Sequence, residues 1–139
     1  MPEASKEQIE AIVVNILDSH NVNYYVRNND RVSLFFCAYK GINFNIKIKS
    51  NCDVEAWTYS DKPVPPGMRF FVLEILNAYA ASNHDIQAYV DEGDRIIFRR
   101  SFSGLERDSI SDQAISTNMD IFFKNTICHK HLNPKFTKD

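Results

Sequence analysis

Near the start of the chain, Ile9, Ile12, Val13, Ile16 and Leu17 recur at i, i+3, i+4, i+7 and i+8. That is a single apolar stripe on a 3.6-residue period. Ser5 stands just before it with Gln8 three residues on, the spacing of a capping box. The polar stretch from Asp18 to Asn23 ends the stripe, so the pattern predicts a helix over about residues 6–19.

From Val22 to Tyr59 the period changes to two. Tyr24 to Arg27 and Val32 to Cys37 are β-rich runs on either side of Asn28-Asn29-Asp30, a turn composition. After a second turn at Tyr39-Lys40-Gly41, Phe44, Ile46 and Ile48 alternate with Asn45, Lys47 and Lys49. Ser50 to Asp53 turns again, and Val54, Ala56 and Thr58 alternate with Glu55, Trp57 and Tyr59. Connections this short allow only antiparallel pairing, because a parallel return needs a crossover of a dozen or more residues. The segment reads as a meander.

The prolines of Lys62 to Gly67 end the strands, since proline cannot donate to a ladder. A second helix is expected near 66–82, with Met68, Phe71, Val72, Ile75, Leu76, Tyr79 and Ala80 in one stripe and Phe70 and Leu73 widening it. So apolar a helix should lie on the sheet and be largely buried. Ser82 to Asp85 closes it. Ile86 to Val90 and Arg95 to Phe102, around Asp91-Glu92-Gly93-Asp94, read as a hairpin in which Ile96, Phe98 and Phe102 point inward. Ser111 is the expected N-cap of a last helix, with Asp112 in its first turn and Ile110 and Ile115 as a hydrophobic staple. Ala114, Ile115, Asn118, Ile121, Phe122 and Cys128 are expected along or beside its buried face. The expected fold is therefore α+β: three helices with an antiparallel meander sheet of five or six strands, in the order α-β-β-β(-β)-α-β-β-α. With no internal repeat or linker, residues 1–139 read as one domain with a flexible tail from about 132.

Composition narrows the function classes. The chain of 139 residues is 44% hydrophobic and 24% charged, which is globular rather than disordered. Sixteen basic against eighteen acidic residues give a net charge of −2, so no bulk field attracts nucleic acid. The polar, partly acidic segment Met1 to Gln8 does not read as a secretory leader, and with no apolar run of bilayer-spanning length a membrane span is not expected. Cys37, Cys52 and Cys128 lie far apart, the pattern of reduced thiols in a cytoplasmic protein.

Candidate chemistry is sparse. In Cys128-His129-Lys130-His131 the two imidazoles are two residues apart and diverge on a helix, and cations at a helix C-terminus account for them. No metal site is expected. Asp91, Glu92 and Asp94 have neither the length nor the closing Glu of a calcium loop. There is no nucleophile elbow, phosphate-cradling loop or dinucleotide fingerprint, so no catalytic residue and no cofactor is expected. An RNA-binding sheet would turn aromatic side chains outward among cations, and the inward parity expected for Phe98 argues against one on that hairpin. Trp57 and Tyr59 share a parity opposite to Val54 and Ala56. They either enter a core or mark a contact surface.

Several segments together resemble the YbjN-type family, candidate bacterial sensory-transduction regulators with a fold like that of type III secretion chaperones. They are Leu73-Glu74-Ile75-Leu76-Asn77, Gln87-Ala88-Tyr89-Val90, Asp91-Glu92-Gly93-Asp94, Ile96-Ile97-Phe98-Arg99-Arg100 and Ile110-Ser111-Asp112-Gln113. Together with the meander, the resemblance covers about residues 5–128. It departs from the family pattern at Ala80, where a second Asn is usual, and lacks the glycine before the next strand. The resemblance implies a non-enzymatic, cytoplasmic protein-interaction or regulatory domain, a homodimer and an unidentified protein partner, while the charge balance and the lack of a spanning apolar run lead to the expectation of neither nucleic acid nor membrane as partner. Trp57, Tyr59, Phe70 and Leu73 are the expected contact surface. The alternatives are a dedicated type III secretion chaperone and, from another class, a small enzyme whose site assembles only in three dimensions.

Overall fold

The structure, a computed structural model, describes residues 5–59, 63–82 and 86–125. The expectations for Cys128 to His131, for the turn at Asn83 to Asp85 and for the tail from 132 lie outside those residues. In chain order the elements are α1 (Lys6–Ser19), β1 (Asn23–Asn28), β2 (Val32–Tyr39), β3 (Ile42–Lys49), β4 (Asp53–Tyr59), α2 (Arg69–Ser82), β5 (Gln87–Val90), β6 (Ile96–Ser103), β7 (Leu105–Glu106), β8 (Ser109–Ile110) and α3 (Asp112–Asn125). The α+β expectation holds. Six strands form an antiparallel sheet in the order β1-β2-β3-β4-β6-β5. The small β7–β8 pair was not foreseen, because two-residue strands carry no periodicity.

The chain forms two compact units, Met1–Ala56 with Ser101–Asp120, and Trp57–Arg100 with Ile121–Asp139. In the first, the capping box of α1 is complete: the Gln8 N–H donates to Ser5 Oγ at 3.4 Å, and the Ser5 N–H to Gln8 Oε1 at 3.0 Å. Ile9, Val13 and Leu17 are buried on the side that meets β1, β2 and β3. Those strands contribute Phe35, Cys37, Phe44, Ile46 and Ile48 to the same core. Lys40 and Gly41 both have positive φ, as the two-residue turn between β2 and β3 requires. Gly104 closes this core: its N–H donates to the Cys52 carbonyl at 2.8 Å, and a Cβ there would lie 2.5 Å from Ile9 Cδ1.

In the second unit α2 packs against β5, and Tyr79 meets Phe98 edge-on with ring centroids 5.4 Å apart. Two expectations for α2 need correction. It begins three residues later than position 66, because Pro66-Gly67 forms a turn in which Gly67 has φ +85° and the Met68 N–H donates to the Pro65 carbonyl. Nor is it largely buried: Val72 and Leu76 are, but Phe70 is 74% exposed, Phe71 52% and Met68 40%. The buried stripe is one i, i+4 pair wide at its start, so the extra apolar residues project outward. In β6, Ile96 and Phe98 are buried as expected, Ile97 is buried beside them, and Phe102 is only half-buried.

The last helix starts as expected, with the Ala114 N–H donating to Ser111 Oγ at 3.1 Å. Its buried stripe is Ile115, Met119, Phe122 and Phe123. Ala114, Asn118 and Ile121 flank it half-buried, beside the buried face as expected, while Met119 and Phe123 were not among the expected residues.

Candidate functional site

The four residues singled out as a contact surface fall in the second unit and separate into two groups. Within β4, Val54, Ala56 and Thr58 are buried, while Glu55, Trp57 and Tyr59 are half-buried on the other parity. The Arg95 guanidinium lies 5.4 Å from the centroid of the Tyr59 ring, which places a cation on an aromatic face. Phe70 and Leu73 belong to α2, where Leu73 is half-buried and Phe70 projects outward. Met68 and Phe71 join Phe70 to make an exposed apolar start to the helix. Arg69 and Asp94 frame that end. The guanidinium meets the carboxylate at 2.6 Å, and the Val64 N–H donates to the Asp94 carbonyl, also at 2.6 Å. Both side chains are about half exposed, so the pair adds at most about 1 kcal/mol but fixes where the helix starts.

The acidic hairpin tip is structural. Asp91 Oδ1 accepts the N–H groups of Gly93 and Arg95, each at 2.9 Å, which holds the turn. Among the described residues no group of three or more His, Cys, Asp or Glu converges as a metal site. Cys37 and Cys52 are buried free thiols, and burial pushes the Cys37 thiol up to about 12, far from a reactive thiolate.

A cleft of about 280 Å³ in the first unit is lined by Ile16, Ser19, His20, Ser116, Thr117 and Asp120. It gathers an imidazole, a carboxylate and three hydroxyls, the residue types of acid–base chemistry. Its walls are open, however: Ser19, Ser116, Thr117 and Asp120 are exposed, and the Ser19 hydroxyl donates to the Ile16 carbonyl at 2.8 Å. A nucleophile committed to its own helix and bathed in water lacks the desolvation on which such catalysis depends. A second polar feature is buried. Lys6 Nζ lies 3.2 Å from Glu7 Oε1 and donates to Ser33 Oγ at 3.3 Å, while the Ser33 hydroxyl donates to Glu10 Oε2 at 2.9 Å. Ser33 is fully buried, so this chain of contacts ties α1 to β2 rather than meeting a substrate.

The sequence reading passed over one surface. Tyr25 and Phe36 are opposite each other in the β1–β2 register and point away from α1, 60% and 43% exposed, with ring centroids 6.0 Å apart. The signal was present as the parity of Phe36 against the neighbouring Phe35 and Cys37. It is ambiguous in a run where nearly every residue is apolar.

Among the described residues no helix is long and apolar enough to cross a membrane. No family model and no curated protein matches the sequence. In fold the chain is similar to the crystal structure of YbjN from E. coli, a candidate transcription regulator. The likeness has a TM-score of 0.58 and covers 93% of this chain and 95% of that one. Sequence identity is 12%, so the likeness is one of fold. It agrees with the resemblance drawn from the sequence.

Proposed function

We propose that this YbjN-like chain is a non-enzymatic, cytoplasmic protein-interaction domain that grips a polypeptide, including a second copy of itself, through the exposed start of α2. The observation that carries the reading is the group Met68, Phe70 and Phe71, three large apolar side chains left exposed within one turn of chain around Arg69. Scattered exposed apolar residues are ordinary, but a cluster of them marks a contact, and large apolar side chains such as phenylalanine gain from being taken out of water. Trp57 and Tyr59, half-buried on β4, are the second expected contact. The YbjN-like fold supports a regulatory role of this kind. The open geometry of the His20–Asp120 cleft favours binding over catalysis, and nothing specific favours a dedicated secretion chaperone.

The test is quantitative binding of proteins co-purified from the native host to the wild-type chain, Phe70→Ser and Trp57→Ala. Phe70→Ser should weaken capture at least about tenfold with thermal unfolding unchanged, the loss expected of an anchor residue. Trp57→Ala should weaken it less. Capture that survives Phe70→Ser unaltered contradicts the reading.

A further inference from the structure

The outer face of β1, β2 and β3 is a grid of nine positions fixed by the strand register. Asn23, Ala38 and Asn43 form one row, Tyr25, Phe36 and Asn45 the next, and Arg27, Leu34 and Lys47 the third. The opposite face holds Phe35, Phe44 and Ile46 and is covered by α1. The grid therefore presents a pair of exposed rings, 6.0 Å apart and tilted by 37°, with two cations in the adjoining row. None of the nine positions is a carboxylate, although the chain carries a net charge of −2. Neither Arg27 nor Lys47 forms an ion pair with a described residue, whereas Lys49 just beyond the grid is held by Glu55 at 3.0 Å.

Spacing makes the face specific. Residues two apart along a strand are separated by about 7 Å, and positions two strands apart by about 10 Å. A flat ring resting on Tyr25 and Phe36 thus has an anion-binding row one step away, with Arg27 and Lys47 on either side of Leu34. Planar rings joined by a chain of anionic groups at about that distance describe a nucleic acid strand with unpaired bases. An acidic polypeptide would satisfy the cations but presents a flat ring only at an aromatic residue, not at every charged unit of its chain.

We propose that this face of the first unit binds single-stranded nucleic acid by stacking bases on Tyr25 and Phe36 and holding phosphates at Arg27 and Lys47. The absence of nucleic acid among the expected partners rested on the net charge and on the inward parity of Phe98. The same criterion, outward aromatics beside cations, is met on β1–β3. Binding is weak and local: two neutralised phosphates give a logarithmic salt slope of about −1.4, so affinity falls about sevenfold between about 50 and 200 mM salt.

The experiment is fluorescence anisotropy of labelled oligo-dT and oligo-U of about ten nucleotides, with a blunt DNA duplex and a poly-Glu peptide as comparisons, at those two salt concentrations. The wild-type chain should bind both single strands more tightly than the duplex or the peptide. Tyr25→Ala should weaken binding about fivefold or more while the melting temperature stays put, since that ring is mostly exposed. Arg27→Ala with Lys47→Ala should weaken binding and flatten the salt dependence. Three results would overturn the proposal: no single-strand binding at about 100 μM protein in the lower salt, variants that bind like the wild type, or poly-Glu binding as tightly as oligo-dT. The last would assign the face to acidic polypeptides.

Discussion

Cys37 sits on β2 facing α1, and burial raises its thiol from the ordinary 9.0 to about 12. The folded protein thus holds this proton more tightly than the unfolded chain. Its contribution to stability is complete below about pH 9 and is lost as pH rises from 9 toward 12. At pH 8, a thiol reagent followed by peptide mapping should leave Cys37 unmodified in the native protein and modify it in urea. Native labelling at Cys37 would show that this core is open. Ser33 makes a second residue-level case. Its hydroxyl accepts from buried Lys6 and donates to Glu10. Ser33→Ala leaves the ammonium with its Glu7 contact alone and takes a donor from Glu10, and should cost about 1–3 kcal/mol in urea unfolding. Lys6→Met, which removes the buried charge instead, should cost less. Gly104 is limited by space: a Cβ would press on Ile9 and the Cys52 carbonyl, so Gly104→Ala should cost about 1–3 kcal/mol by overpacking.

Elements with a strong local signal were legible in the sequence. The Ser5–Gln8 box and the Ile9–Leu17 stripe place α1 over about residues 6–19, where it runs from Lys6 to Ser19, and the alternation around Phe44, Ile46 and Ile48 gives β3. Ser111→Ala, which removes the acceptor for the Ala114 N–H, should destabilise by about 1 kcal/mol by thermal or urea unfolding, and Ser111→Asp should restore most of it. What was not legible is instructive. α2 is apolar over most of its circumference, broken by Glu74 and Asn77, so periodicity could not say which side chains were surplus to its packing; among its described side chains, Val72 and Leu76 are the buried ones. Its start was misplaced because a Pro-Gly turn and a helical first turn share the same composition until a φ angle is known. On α3, Met119 and Phe123 were missed, because Ile121 and Phe122 support either of two adjacent stripes. The candidate contact residues differ in exposure, which the sequence did not show: Phe70 projects outward, while Trp57, Tyr59 and Leu73 are half-buried. Tyr25 and Phe36 became visible only through the register of β1 on β2.

At the scale of the whole molecule, a YbjN-like fold at 12% identity says which elements are present and in what order, not what they touch. The functional reading therefore rests on this chain's own surfaces, the apolar start of α2 above all. If that group joins two copies, association must be reversible and sensitive to a single polar substitution, as contacts centred on a few anchors are. Light scattering coupled to size exclusion, over a range of concentrations, measures this directly on the wild-type chain and on Phe70→Ser. The account predicts a wild-type mass rising toward twice 16.1 kDa and a Phe70→Ser mass staying near 16.1 kDa with the same helical signal. A wild-type chain that stays monomeric at every concentration, or a Phe70→Ser chain that associates just as well, would contradict it.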